Sequence, residues 1–78
     1  MLTVGERVDV RDTEYIWCRG FILNVYRRGD MVTEVLIHYQ GWNKIYDEIL
    51  EVTSPRIASL GFYTNREDIP RYAINDNS

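Results

Sequence analysis

His38-Tyr39-Gln40-Gly41-Trp42-Asn43-Lys44-Ile45-Tyr46-Asp47-Glu48-Ile49-Leu50 is the stretch on which the reading of the fold turns. The β-branched run from Val32 to Tyr39 leads into it, and Gln40-Gly41-Trp42-Asn43 brings the Gly and Asn that mark a connection between two strands. It reads as strand, tight connection, strand. A turn has no use for three large aromatics, yet Tyr39, Trp42 and Tyr46 stand close together here. Tyr39 ends one strand, Trp42 sits on the connection and Tyr46 begins the next. The three rings can therefore gather at one end of a small sheet, either as a core lid or as a binding surface.

Working outward, the 78 residues have room for one core, expected over residues 3–62, with 63–78 as an extension that packs in part and then frays. A domain of this size buries only about 60% of the surface its unfolded chain exposes, so its stability is marginal. Nine Lys and Arg stand against twelve Asp and Glu, a net charge of −3. Gripping a phosphate backbone draws on a basic excess, which is missing here; a mildly acidic surface suits a basic partner better. Cys18 is the sole cysteine, which excludes a disulfide framework and fits a reducing compartment. No apolar run approaches the roughly 18 residues of a membrane span, and no signal-peptide core follows Met1. The chain reads as a soluble, intracellular, monomeric domain with no membrane partner.

Arg7-Val8-Asp9-Val10-Arg11-Asp12 alternates polar and apolar, a first strand with one wet face. Asp12-Thr13-Glu14 is a polar turn whose short side chains bond nearby backbone. Tyr15 to Tyr26 is a long aromatic and β-branched run, in which Gly20 marks a bend or a close backbone approach. A period of two puts Trp17, Arg19, Phe21, Leu23 and Val25 on one face and Cys18, Gly20 and Ile22 on the other. Both faces are largely apolar, as a strand bending into a barrel requires. Arg27-Arg28-Gly29-Asp30 is a hairpin turn. In the strand Met31 to Tyr39, residues Thr33, Val35, Ile37 and Tyr39 share one face, with Glu34, Leu36 and His38 opposite. Tyr46 to Val52 makes a short fourth strand. Ser54 as N-cap, Pro55 at the first helical position and Gly61 past the end predict a short helix, whose Ile57 and Leu60 plug the barrel. Phe62, Tyr63, Ile69, Tyr72 and Ile74 are expected to pack as the extension, and Asn75 to Ser78 to fray.

The opening stretch resembles the signature of the chromo barrel (Tudor-knot) family, His-Tyr-x-Gly-Trp-Asn-x-x-Trp-Asp-Glu-Trp-Val. His38, Tyr39, Gly41, Trp42, Asn43, Asp47 and Glu48 match it in register; Tyr46 and Ile49 stand where the family has Trp, and Leu50 where it has Val. A weaker likeness runs upstream to Val4-Gly5-Glu6-Arg7-Val8 and downstream to Ser54-Pro55-Arg56-Ile57. The resemblance implies a mainly β protein: a small, strongly curved, SH3-like antiparallel barrel of four to five strands with a short C-terminal helix. Such domains occur in MYST-type acetyltransferases and in MRG and MSL chromatin proteins. Several bind methylated lysine in an aromatic cage, while others bind nucleic acid or dock proteins. It thus implies a nuclear chromatin module whose partners are a methylated histone tail and other subunits of a chromatin-modifying complex. By resemblance the cage is Tyr39, Trp42, Tyr46 and an upstream ring, Trp17 or Tyr15.

The residues exclude most other chemistry. One His and one Cys do not make a nucleophile with its base and orienter, nor a zinc site, and no Gly-rich phosphate loop is present. No catalytic residue, metal or cofactor is expected. His38 reads as a hydrogen-bonded strand residue and Cys18 as a small buried group. Of Asp47 and Glu48, one is expected to tie down the turn at Asn43-Lys44 and the other to pair with an Arg. Asp47, or Asp12 or Glu14 from the first turn, could add a carboxylate beside the rings. Arg27, Arg28 and Lys44 are the nearest approach to a basic patch, and would serve weak RNA or DNA contacts; the bland alternative is a solvated hairpin tip.

Overall fold

Val8, Val10, Ile22, Val35, Ile37, Tyr39 and Leu50 form one buried cluster, drawn from four strands of a single antiparallel sheet. The computed structural model describes residues 2–64. The strands are β1 (Arg7–Arg11), β2 (Trp17–Arg28), β3 (Met31–Tyr39), β4 (Glu48–Glu51) and β5 (Ile57–Ser59), in the spatial order β4-β3-β2-β1-β5. A lone sheet with no second layer can bury one face almost completely only by curling over it. Val10, Ile22, Val35 and Ile37 lie at 0% exposure, so this sheet curls. The curved antiparallel sheet expected from the sequence is present as one open five-stranded sheet, and among the described residues no ladder joins the edges β4 and β5.

The expected C-terminal helix is a strand. Ser54 does cap a turn, its Oγ accepting the Arg56 N–H at 3.1 Å while its carbonyl accepts Ile57 N–H at 3.2 Å. After that one turn the chain extends, and Val8, Val10 and Asp9 pair with Ser59, Ile57 and Ala58. A helix this short cannot offset its own nucleation, whereas the bare edge of β1 offers a ready ladder. The capping signal was genuine, and it capped a turn.

Three further differences concern β2, the hairpin that follows it and β4. A bulge between Ile22 and Asn24 makes Leu23 the extra residue, so Ile22 pairs with Ile37 and Val25 with Val35. This phase change brings Val25 round to pack on the core and leaves Leu23 exposed, where strict alternation had put both on one face. Arg27 and Arg28 belong to β2, so the hairpin loop is only Gly29-Asp30, with Gly29 at φ +60. Tyr46 lies outside β4, in a 3-10 helix over Lys44–Tyr46. Ile69, Tyr72, Ile74 and Asn75 to Ser78 lie outside the described residues.

Gly20 sits in β2 where a side chain has no room. A Cβ built there would stand 3.0 Å from the His38 carbonyl oxygen and from Val10 Cγ1, and 3.2 Å from Ile37 Cγ2. The carbonyl belongs to a ladder strand and cannot step aside. Gly20→Ala is therefore expected to cost about 1–3 kcal/mol by overpacking, read as a lower thermal midpoint with an unchanged β-type circular dichroism spectrum.

Candidate functional site

The turn after β3 is built to carry a ring. Trp42 N–H donates to Tyr39 O at 3.0 Å, with Gly41 at φ +84 in the third position, where a type II turn needs a residue tolerant of positive φ. Asn43 Oδ1 then accepts the Ile45 N–H at 3.0 Å and caps the 3-10 helix, which turns Tyr46 back toward Trp42. The ring centroids of Tyr39 and Trp42 lie 5.1 Å apart, and those of Trp42 and Tyr46 5.5 Å apart and edge-on. These rings, with Ile45, Asp12, Asp47 and Glu48, line an open cleft of about 250 Å³.

The cleft has a rigid floor. Tyr39 is 1% exposed; its hydroxyl donates to Glu48 Oε2 at 2.6 Å and accepts from Arg56 Nη2 at 3.0 Å. Arg56 forks onto both Glu48 oxygens, at 3.2 and 2.7 Å, and donates from Nε to the Arg11 carbonyl at 2.8 Å. The Arg56 hydrogen bond holds the Glu48 carboxyl below the usual range despite partial burial, and the same pairing raises Arg56. Burial and the bond to Glu48 push the Tyr39 phenol up, so it stays neutral. Three carboxylates, Asp12, Asp47 and Glu48, surround the cleft against this one guanidinium, a balance that favours a cationic guest.

The sequence-predicted site residues fall into separate places. Tyr39, Trp42 and Tyr46 come together. Trp17 does not join them: it stacks on Tyr63 with centroids 3.9 Å apart, on the sheet face opposite Tyr39. Tyr15 is 77% exposed at φ +65, and the Arg11 guanidinium lies over its ring at 5.1 Å. Asp12 and Asp47 line the cleft, whereas Glu14 does not. Asp12 Oδ1 accepts the N–H groups of Glu14 and Ile16 at 2.8 and 2.9 Å, the side-chain-bonded turn expected there. Glu48 pairs with an Arg as expected, but Asp47 binds His38 Nδ1 at 2.7 Å, and the connection is capped by Asn43 instead.

Lys44 follows the end of β3 at Tyr39, while Arg27 and Arg28 pair with Val32 and Met31 at its start. The nine residues of β3, whose eight steps of ~3.3 Å span about 26 Å when fully extended, lie between them. The basic trio is therefore not one patch. Arg27 and Arg28 flank a larger groove of about 750 Å³ with Leu2, Met31, Val32 and Val52, which holds no aromatic ring. Cys18 is half-buried, and burial plus the neighbouring Asp12 push its thiol up to about 11, so it is protonated and inert at neutral pH.

Sequence reasoning passed over Arg56, which it read as part of a helix, and Asp9, which it put on a wet face. Asp9 is fully buried, and accepts the N–H groups of Gly61, Tyr63 and Thr64 and the Thr64 hydroxyl at 3.0, 2.7, 2.8 and 2.6 Å. Arg19 donates to Thr64 Oγ1 and O from the neighbouring strand. No local pattern flags either residue, since their partners are remote in sequence.

Fold and cleft together define a small, mainly β protein with an aromatic, carboxylate-rimmed cleft. Compared with known proteins, the chain matches no family model and no curated protein.

Proposed function

We propose that this chain is a chromatin-associated binding module of the chromo barrel type, which takes up the side chain of a methylated lysine on a basic, histone-like tail. The observation that carries this reading is the convergence of Tyr39, Trp42 and Tyr46 on an open cleft rimmed by carboxylates. A methylated ammonium keeps its charge but sheds water readily, and each ring face within about 6 Å contributes roughly 0.5–2 kcal/mol. With Tyr39 buried as the floor, the two exposed rings, Trp42 and Tyr46, supply roughly 1–4 kcal/mol, a dissociation constant of about millimolar or weaker. Useful affinity then comes from flanking peptide contacts or a second module. The reading assigns the chain no catalytic role and a nuclear location. The separation of Lys44 from Arg27 and Arg28 disfavours a nucleic-acid interface.

Lysine peptides unmodified and at each methylation state provide the test, followed by NMR at the Trp42 indole. Methylated peptides are expected to shift that signal saturably, and the unmodified one to leave it still. Equal shifts across the series, or none at all, retire the reader and leave a protein-docking module.

A further inference from the structure

The sheet face opposite Tyr39 carries a different chemistry. Across the β1–β2 ladder Arg7 pairs with Phe21, Asp9 with Arg19 and Arg11 with Trp17, so these side chains share that face. Its charge is one-sided. The single carboxylate, Asp9, is fully buried and already accepts four hydrogen bonds from Gly61, Tyr63 and Thr64. None of the three arginines has a carboxylate partner, since the ion pairs among the described residues are His38–Asp47 and Arg56–Glu48. Arg7 donates to Gln40 and Arg19 to Thr64. Arg11 differs: its Nε is buried with no hydrogen-bond partner among the described residues, and its guanidinium lies 5.1 Å from the ring centre of Tyr15 and 5.9 Å from that of Trp17. Trp17 in turn stacks on Tyr63 at 3.9 Å, and Phe62 meets Tyr63 edge-on at 4.7 Å. Tyr15, Phe62 and Tyr63 are all exposed.

We propose that this row, Tyr15-Arg11-Trp17-Tyr63-Phe62, is a docking face for an acidic segment of a partner protein, which sets a carboxylate on Arg11 and a neighbouring apolar side chain on Phe62 and Tyr63. Trp, Tyr and Arg carry most of the binding energy at protein interfaces. A guanidinium without a carboxylate of its own takes one from a partner through charge-assisted, forked hydrogen bonds. Charge complementarity selects the partner: three arginines stand here against one saturated carboxylate, whereas the cleft is rimmed by Asp12, Asp47 and Glu48. The two faces therefore call for partners of opposite sign, and both can be occupied at once. Asp9 prepares this one by holding the Tyr63 and Thr64 N–H groups, which fixes Tyr63 before the partner arrives. A nucleic acid fits less well. Bases stack on free ring faces, and here Trp17 is already stacked on Tyr63 while Arg11 lies over Tyr15. The net charge of −3 also opposes a phosphate chain.

NMR titration of the intact chain, followed at the Trp17 and Trp42 indoles, tests this. The probes are a synthetic peptide of Glu, Asp, Leu and Phe, the same peptide with Lys in place of every Glu and Asp, and a single-stranded RNA. The acidic peptide is expected to shift Trp17 saturably, to spare Trp42, and to bind more weakly as salt is raised; the Lys peptide should leave Trp17 still. Arg11→Gln should weaken the acidic peptide about five- to tenfold, and Arg11→Lys, which keeps the charge but loses the fork, by less. Phe62 is 71% exposed, so Phe62→Ala should weaken binding about threefold or more with an unchanged melting curve. Absence of a saturable shift at Trp17, a shift that the Lys peptide reproduces, or an affinity that survives both Arg11→Gln and Phe62→Ala overturns the proposal. RNA that shifts Trp17 where the acidic peptide does not overturns it too, and gives the face to nucleic acid.

Discussion

Asp9→Ala is expected to remove most of the stability of this protein at neutral pH. The substitution strips the acceptor from three backbone N–H groups and one hydroxyl, all gathered where the chain after β5 crosses β1. A buried donor left without a partner costs about 1–3 kcal/mol, and even partial access of water to the freed loop leaves a loss of about 3 kcal/mol or more. Against the 5 kcal/mol or so that is ordinary for a small domain, this is the larger part. Urea denaturation at pH 7 measures it, and a midpoint within error of wild type would contradict the account. The pH dependence gives an independent check. Burial by itself would raise the Asp9 carboxyl, but its four hydrogen bonds outweigh that and hold it below the usual value. A carboxyl depressed on folding contributes stability that is complete above the unfolded value, about 3.9, and is lost as pH falls through the folded value. Wild type should therefore weaken in acid below about pH 4. Asp9→Asn, which does not titrate and turns an amide N–H toward the same donors, should be less stable at neutral pH and show a shallower acid slope.

Trp42→Ala is expected to abolish measurable binding of methylated lysine while leaving the fold intact. Trp42 is 40% exposed on a turn, outside the buried cluster, so truncation should change stability little. Its ring is the middle of the three and the one that touches both others. Removing it takes away the largest π surface, worth roughly 1–2 kcal/mol, and separates Tyr39 from Tyr46. A millimolar interaction weakened tenfold or more falls outside what titration detects. Trp42→Phe, which keeps a smaller ring, should retain part of the affinity. Full binding by Trp42→Ala with a wild-type melting curve would rule out the cleft as the binding site. Tyr39→Phe behaves differently: it keeps the ring but removes the hydroxyl between Glu48 and Arg56, so its first effect should be on stability.

These two residues divide along the line between what is local and what is not. The alternation at Val8 and Val10 and along Val35, Ile37 and Tyr39 specified which faces turn inward, because a strand's side-chain period is a property of the backbone alone. Gly41 and Asn43 specified the connection that carries Trp42 for the same reason: turn chemistry is settled within four residues. Sequence alone thus determined an antiparallel β protein with Tyr39, Trp42 and Tyr46 at one end of the sheet. Only the tertiary structure decided that Ser54 to Gly61 caps a turn and then becomes β5, because the free edge of β1 is brought to it by strands far away in sequence. It alone decided that Leu23 is the bulged residue, that Trp17 faces Tyr63 instead of the cleft, and that Asp47 binds His38 while Glu48 binds Arg56. Each of these depends on which partner arrives from a distance, and the free energy of a contact between remote residues is written in no local pattern.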